Sequence, residues 1–146
     1  MSRKYPKQTA KQRKENLDEA AKDLIAAISP PPYFSTDYNE RKGLPIVTGV
    51  LDYFPLAMLE VARVSEAGNN QHNPGEPLHW ARGKSMDQCN TAVRHIMERG
   101  GCERLGLTGK DTDGTYHLAK AIWRLAGQLQ LDIEAERGLG PSRASK

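Results

Sequence analysis

Few cysteines and no membrane-length apolar run are the first limits on this chain. Cys89 and Cys102 show neither CxxC spacing nor a disulfide framework, so reduced thiols in a cytosolic protein are expected. No apolar stretch approaches the roughly 18 residues of a membrane span, and the N-terminus lacks the apolar core of a signal peptide. Neither membrane insertion nor export is therefore expected, and the compartment should be cytoplasm (host cytoplasm if the gene is viral). There is no GxSxG, no Walker loop and no dinucleotide fingerprint. The four histidines and two cysteines match no zinc-finger spacing. The His-Asp dipeptide of one phosphohydrolase class is absent too. A cysteine nucleophile would need a base beside Cys89 or Cys102, and the sequence shows none. No internal repeat and no convincing pair of strands is present.

What remains is a chain of 146 residues, 38% hydrophobic and 27% charged. That is one domain by size, long enough to bury a core. The net charge of +3 hides an asymmetry: Arg3, Lys4, Lys7, Lys11, Arg13 and Lys14 all precede the first acid, Glu15. Without those six cations the rest stands at −3. The basic character is thus an arm, which is either a frayed terminus or a nucleic-acid contact that neutralises phosphates. The expected organisation is residues 1–43 as basic arm, helix and proline-rich linker, 44–136 as the folded domain, and 137–146 as a disordered tail.

Periodicity predicts helices. Leu17, Ala20, Ala21, Leu24, Ile25 and Ile28 recur at helical spacing over residues 11–29, and Pro30-Pro31-Pro32 stops that helix. Pro55 suits the first turn of a second helix over 53–67, burying Leu56, Leu59, Val61, Ala62 and Val64, with Gly68 as its stop. Residues 69–84 carry Asn, Gly and Pro at turn density and read as an ordered loop. Ser85 can cap a third helix to residue 98, ended by Gly100-Gly101. Asp113 or Thr115 can cap a last helix to residue 134. Its line of Leu118, Ala121, Ile122, Leu125, Leu129 and Ile133 is the cleanest in the chain. The predicted fold is all-α: a small bundle of three core helices plus an N-terminal helix. So thin a bundle should leave apolar surface for a second copy, which favours a homo-oligomer.

Carboxylates and imidazoles gathered on helices, with no phosphate loop, suggest metal-assisted chemistry on a phosphate substrate. Glu60 sits mid-helix beside Leu59 and Val61, either reaching a cation from the rim of the core or simply solvated. Glu66, more than half a turn out of phase, is the weaker candidate. Asp87 and His95 are two turns apart on one face; Asp87 equally suits a helix first turn. Arg94 offers a guanidinium fork to phosphate or to a surface carboxylate. Asp111, Asp113 and His117 cluster at a helix start, as ligands or as cap and turn. In the loop, His72 and His79 stand among Asn69, Asn70, Gln71 and Asn73. Their amides can read a base edge or cap their own backbone, and Trp80 can stack on a base.

Three segments taken together, PIVTGVLDYFPLAMLEVARVSEAGNNQHNPGEPLHW, KSMDQCNTAVRHIMERGG and DTDGTYHLAKAIWRLAGQLQLDIE, resemble the dATP/dGTP diphosphohydrolase N-terminal family. Many of its members are phage proteins, and its fold is similar to MazG-type all-α nucleotide pyrophosphatases. The resemblance covers residues 44–134. It implies hydrolysis of a purine deoxynucleoside triphosphate to monophosphate and pyrophosphate, with Mg2+ or Mn2+ as cofactor. It further implies Glu60, Asp87, His95, Asp113 and His117 as metal ligands, with Glu60, His95, Asp113 and His117 catalytic. Asn69, His72, Trp80 and Arg94 would bind the nucleotide. One departure concerns Gln88, Cys89 and Asn90, where the family pattern carries more acidic or histidine character. Amide carbonyls coordinate more weakly than carboxylates, which bears on catalytic competence. The rival class is a noncatalytic module that binds nucleic acid or a protein through the basic arm.

Overall fold

The computed structural model describes residues 9–28, 37–142 and 144–145. The basic residues Arg3, Lys4 and Lys7 and the stop Pro30-Pro31-Pro32 lie outside the described residues. The chain divides into two compact units, Met1–Tyr33 and Phe34–Lys146. The first contains α1 (Ala10–Ile28). The second contains α2 (Tyr38–Gly43), a π-helical turn Val47–Leu51, α3 (Pro55–His72), a 3-10 turn Arg82–Lys84, α4 (Gln88–Arg104) and α5 (His117–Arg137). Among the described residues there is no strand, only isolated bridges Trp80–Ser145 and Lys110–Tyr116. The fold is all-α. No single described helix is long and apolar enough to cross a membrane; Tyr38–Leu51 and Pro55–His72 meet that test only jointly, across a 90° bend.

The helices run past the glycines expected to stop them. α3 continues through Gly68 because its last turn is held from outside. Lys84 Nζ donates to the His72 carbonyl at 2.6 Å and to Asn73 Oδ1 at 2.7 Å. Those bonds satisfy carbonyl groups that a helix end otherwise leaves without a partner. α4 passes through Gly100-Gly101 and ends at Arg104, with Gly106 just beyond the cap supplying the left-handed turn at a φ of 65°. Leu107 N–H donates to Cys102 O and Gly106 N–H to Glu103 O, the paired bonds of a Schellman motif.

The expected caps also differ. α4 begins after Asp87 with no side-chain cap bond, and Ser85 Oγ donates to Asp87 Oδ1 instead of accepting from a backbone N–H. Before α5, Asp113 Oδ1 accepts from Thr115 N and Oγ1, so it shapes the turn ahead of the helix. The tail, expected to be disordered, folds back in its described part. Ser142 N–H donates to Glu134 Oε1 and Trp80 N–H to Ala144 O.

α5 packs against both α3 and α4, and the contact is made by small and polar residues. Ala92, Ala119 and Ala121 form the buried hydrophobic core; Gln88, Thr91 and His117 are buried as well, and so is Glu134 farther along α5. Alanines on facing helices let the backbones approach closely. Most of the expected apolar line of α5 faces the other way: Leu118, Ile122, Leu125 and Leu129 are exposed, as are Leu56 and Leu59 on α3, while Ala121 is in the core and Ile133 half-buried. Periodicity identifies an apolar face, but the partner that covers it is set elsewhere.

Candidate functional site

The turn 111–115 places two carboxylates over one ammonium. Gly114 N–H donates to Asp111 O and Asp111 N–H to Thr115 O; the tight loop turns Asp111 and Asp113 toward α5. Lys120 Nζ, one turn into that helix, lies 2.6 Å from Asp111 Oδ2 and 2.7 Å from Asp113 Oδ2. Lys120's hydrogen bond, then that of Thr112 N–H, holds Asp111 below the usual carboxylate range. Burial pushes Asp113 up, but bonds from Lys120 and Thr115 outweigh it and bring the carboxyl to about 2. Burial likewise disfavours the Lys120 charge, and its bonds to Asp111 and Asp113 still raise it.

Beside this corner, α4 and α5 bring two imidazoles together. His95 Nδ1 and His117 Nδ1 are 3.3 Å apart, with ring centroids separated by 5.5 Å. Glu98 Oε2 lies 3.1 Å from the first and 3.2 Å from the second. Desolvation pushes His95 below its ordinary value, against the pull of Glu98. Ligand atoms of His95, Asp111 and His117 all lie within 4.8 Å of one another.

Two cavities flank these groups. The larger, about 860 Å³, runs between α3, α5, the loop after α3 and the tail, a size suited to a small molecule. Asn69, His72, Trp80, His95, Asp113, Lys120, Trp123 and Arg124 are on its walls. The smaller, about 340 Å³, is lined by Glu60, Arg63, Glu66, Lys110 and Asp113 among others. Ala67, Asp113 and Thr115 belong to both linings.

The expected ligand set divides among these places. Glu60 and Asp113 share the small cavity, where Glu60 pairs with Arg63. His95 and His117 form the imidazole pair. Asp87 stands apart, held by Ser85 and Thr91 with Arg94 at 3.4 Å; bonds from the two hydroxyls keep it low. Arg94 donates to Thr91 Oγ1 at 2.7 Å and lines neither cavity.

Asn69, His72 and Trp80 do share the large cavity, though two of them are engaged. Asn69 is buried, donating to Glu76 O and accepting from His79 N–H, so its amide pins the loop. Trp80 meets Trp123 edge-on at 6.0 Å and carries the Arg82 guanidinium over its ring. Gly127 makes that fit, since a Cβ there would lie 3.3 Å from Trp80 Cζ2. Gln88 is fully buried: its amide donates to Ser85 O and accepts from Arg124 Nη1 at 3.1 Å. Asn90 is exposed.

Sequence reasoning missed Lys120, Glu98, Trp123 and Arg124. Lys120 follows His117 by three residues and Glu98 follows His95 by three. That spacing puts each pair on one helix face and was a usable signal. Trp123, bonded through Nε1 to Ser65 Oγ at 2.7 Å, has no such local cue.

No curated protein and no solved structure matches the chain. One family model does, over residues 38–138, and its description is dATP/dGTP diphosphohydrolase, N-terminal. That match spans α2 to the end of α5, including both cavities' helices and the imidazole pair. The chain belongs to the dATP/dGTP diphosphohydrolase N-terminal family, a family named for a hydrolase.

Proposed function

We propose that this chain hydrolyses the purine deoxynucleoside triphosphates dATP and dGTP to monophosphate and pyrophosphate, using Mg2+ or Mn2+. The observation that carries this reading is the adjacency of the two cavities across Asp113. A carboxylate-lined hollow adjoins a larger space walled by aromatics and cations. Glu60 and Glu66 present hard oxygen donors, which fit Mg2+ or Mn2+, and Asp113, held by Lys120 and Thr115, borders them. A divalent ion held there supplies charge neutralisation on phosphate oxygens and acidifies water.

The chain's own groups do the rest. Lys110 and Arg63 on the small cavity, with Lys84, Lys120 and Arg124 on the large one, offer cationic donors to the triphosphate. Trp80 and Trp123, set edge to face, supply an apolar corner against which a purine can pack. His95, on the wall of the large cavity, accepts a proton from the attacking water. Water adds to the α-phosphorus, and the bond to the bridging oxygen breaks, releasing pyrophosphate.

The active species in this reading is a homo-oligomer. Leu118, Ile122, Leu125 and Leu129 form one exposed stripe on α5, and Val93, Ile96 and Met97 are exposed on α4. A soluble monomer rarely leaves so contiguous an apolar face open.

Pyrophosphate release from each of the four dNTPs, with Mn2+ and with Mg2+, tests the proposal. Metal-dependent turnover that prefers dATP and dGTP is expected. Glu60→Gln should lower it by at least about 100-fold at an unchanged melting temperature, and His95→Ala should also lower it. Wild-type protein that turns over no dNTP with either metal overturns the reading.

A further inference from the structure

Proximity of two imidazole nitrogens to a single carboxylate oxygen is a pattern that hydrogen bonding alone does not require. His95 Nδ1, His117 Nδ1 and Glu98 Oε2 form a triangle with edges of 3.1, 3.2 and 3.3 Å. A tetrahedral ion with bonds of about 2.0 Å separates its ligand atoms by about 3.3 Å. The three atoms therefore lie near the spacing of one face of such a tetrahedron. Each is held there by its own element: His95 and Glu98 one turn apart on α4, His117 at the first position of α5.

We propose that His95, His117 and Glu98 form a site for a borderline divalent metal of the Zn2+ or Co2+ class, distinct from the carboxylate cavity at Glu60. Two nitrogens and one oxygen suit Zn2+, whereas Mg2+ takes oxygen ligands in octahedral array. Charge balance supports a dication. Glu98, Asp111 and Asp113 stand here against the single ammonium of Lys120, three carboxylates to one cation. Asp111 approaches the pair to within 4.8 Å, but its two oxygens are bonded by Lys120 and by Thr112. The fourth position is thus left to water or to a ligand from the large cavity that His95 also lines. Because α4 and α5 each contribute ligands, the ion also ties those two helices together.

This site goes beyond the hydrolysis proposed above and does not depend on it; an ion on His95 Nδ1 fixes that ring's proton on Nε2, so the metal-loaded site and proton acceptance by His95 are alternative states of the chain. Its test uses the full chain without nucleotide. Protein dialysed against buffered Zn2+ in excess Mg2+ is assayed for bound zinc, and Co2+-loaded protein is examined by visible absorption. One Zn2+ per chain is expected, not displaced by Mg2+, with the intense Co2+ absorption of a tetrahedral site. Glu98 is 53% exposed at its side chain, so Glu98→Gln should fold; it is expected to weaken zinc binding at least about tenfold. His95→Ala should abolish stoichiometric binding. Cys89→Ser/Cys102→Ser should leave it intact, as should Glu60→Gln, which separates this site from the hydrolytic one. Zinc binding that is absent, or unchanged in both Glu98→Gln and His95→Ala, or lost with the cysteines, overturns the proposal.

Discussion

Lys120 Nζ sits 2.6 Å from Asp111 Oδ2, and 2.7 Å from Asp113 on the other side of the same turn. One ammonium thus bridges two carboxylates that lie outside any helix. Its side chain is 17% exposed, so removal leaves both carboxylates facing each other, Asp111 less open to water than Asp113. Lys120→Met should destabilise the fold by about 1–3 kcal/mol, less than a fully buried pair would cost because Asp113 is open to solvent. Urea unfolding followed by circular dichroism reads this as a lower midpoint. An unchanged midpoint would mean the turn holds without the cation.

Acidification should weaken the fold in two separate windows. Asp113 is lowered from 3.8 to about 2 in the folded chain, so its contribution is full above 3.8 and lost as pH falls toward 2. Solvent screening at its half-exposed side chain limits the effect to the order of 1 kcal/mol. His95 is also lowered, by burial, from 6.5. The unfolded chain then binds a proton that the folded chain resists, and stability falls as pH drops below 6.5. His95→Gln should flatten the upper window and leave the lower one, as read by melting temperature against pH.

Trp80 depends on a missing side chain. A Cβ at Gly127 would lie 3.3 Å from Trp80 Cζ2 and 3.6 Å from Cη2, and Trp123 and Arg82 limit the indole's retreat. Gly127→Val should therefore destabilise by about 1–3 kcal/mol through overpacking, despite removing a helix glycine. Intrinsic tryptophan fluorescence should shift with it. A Gly127→Val chain with wild-type emission and stability would show that Trp80 moves freely.

The exposed apolar stripe on α5 predicts self-association. Leu125→Lys/Leu129→Lys alters two exposed positions that touch neither cavity. Sedimentation velocity should show an oligomer for the wild type and a shift to monomer for the double variant. A wild type that is monomeric at every concentration would contradict the homo-oligomer.

Composition and spacing determined the helical class, the positions of α1, α3, α4 and α5, and the types of residue in the site. Local signals were enough because a 3.6-residue period, a proline at residue 55 and a glycine-rich turn act within a few residues of themselves. Tertiary structure decided where α3 and α4 stop, because Lys84 and the Schellman bonds at Gly106 act where the nearer glycines do not. It also decided which face of α5 is covered: alanines and polar groups pack inward, and the leucines wait outside. The same holds for the site. The sequence named His95, Asp113, His117 and Glu60, but only the packing of α5 against α3 and α4 sets His95 against His117 and Glu60 across from Asp113. Those distances come from contacts between residues far apart along the chain, which no local pattern encodes.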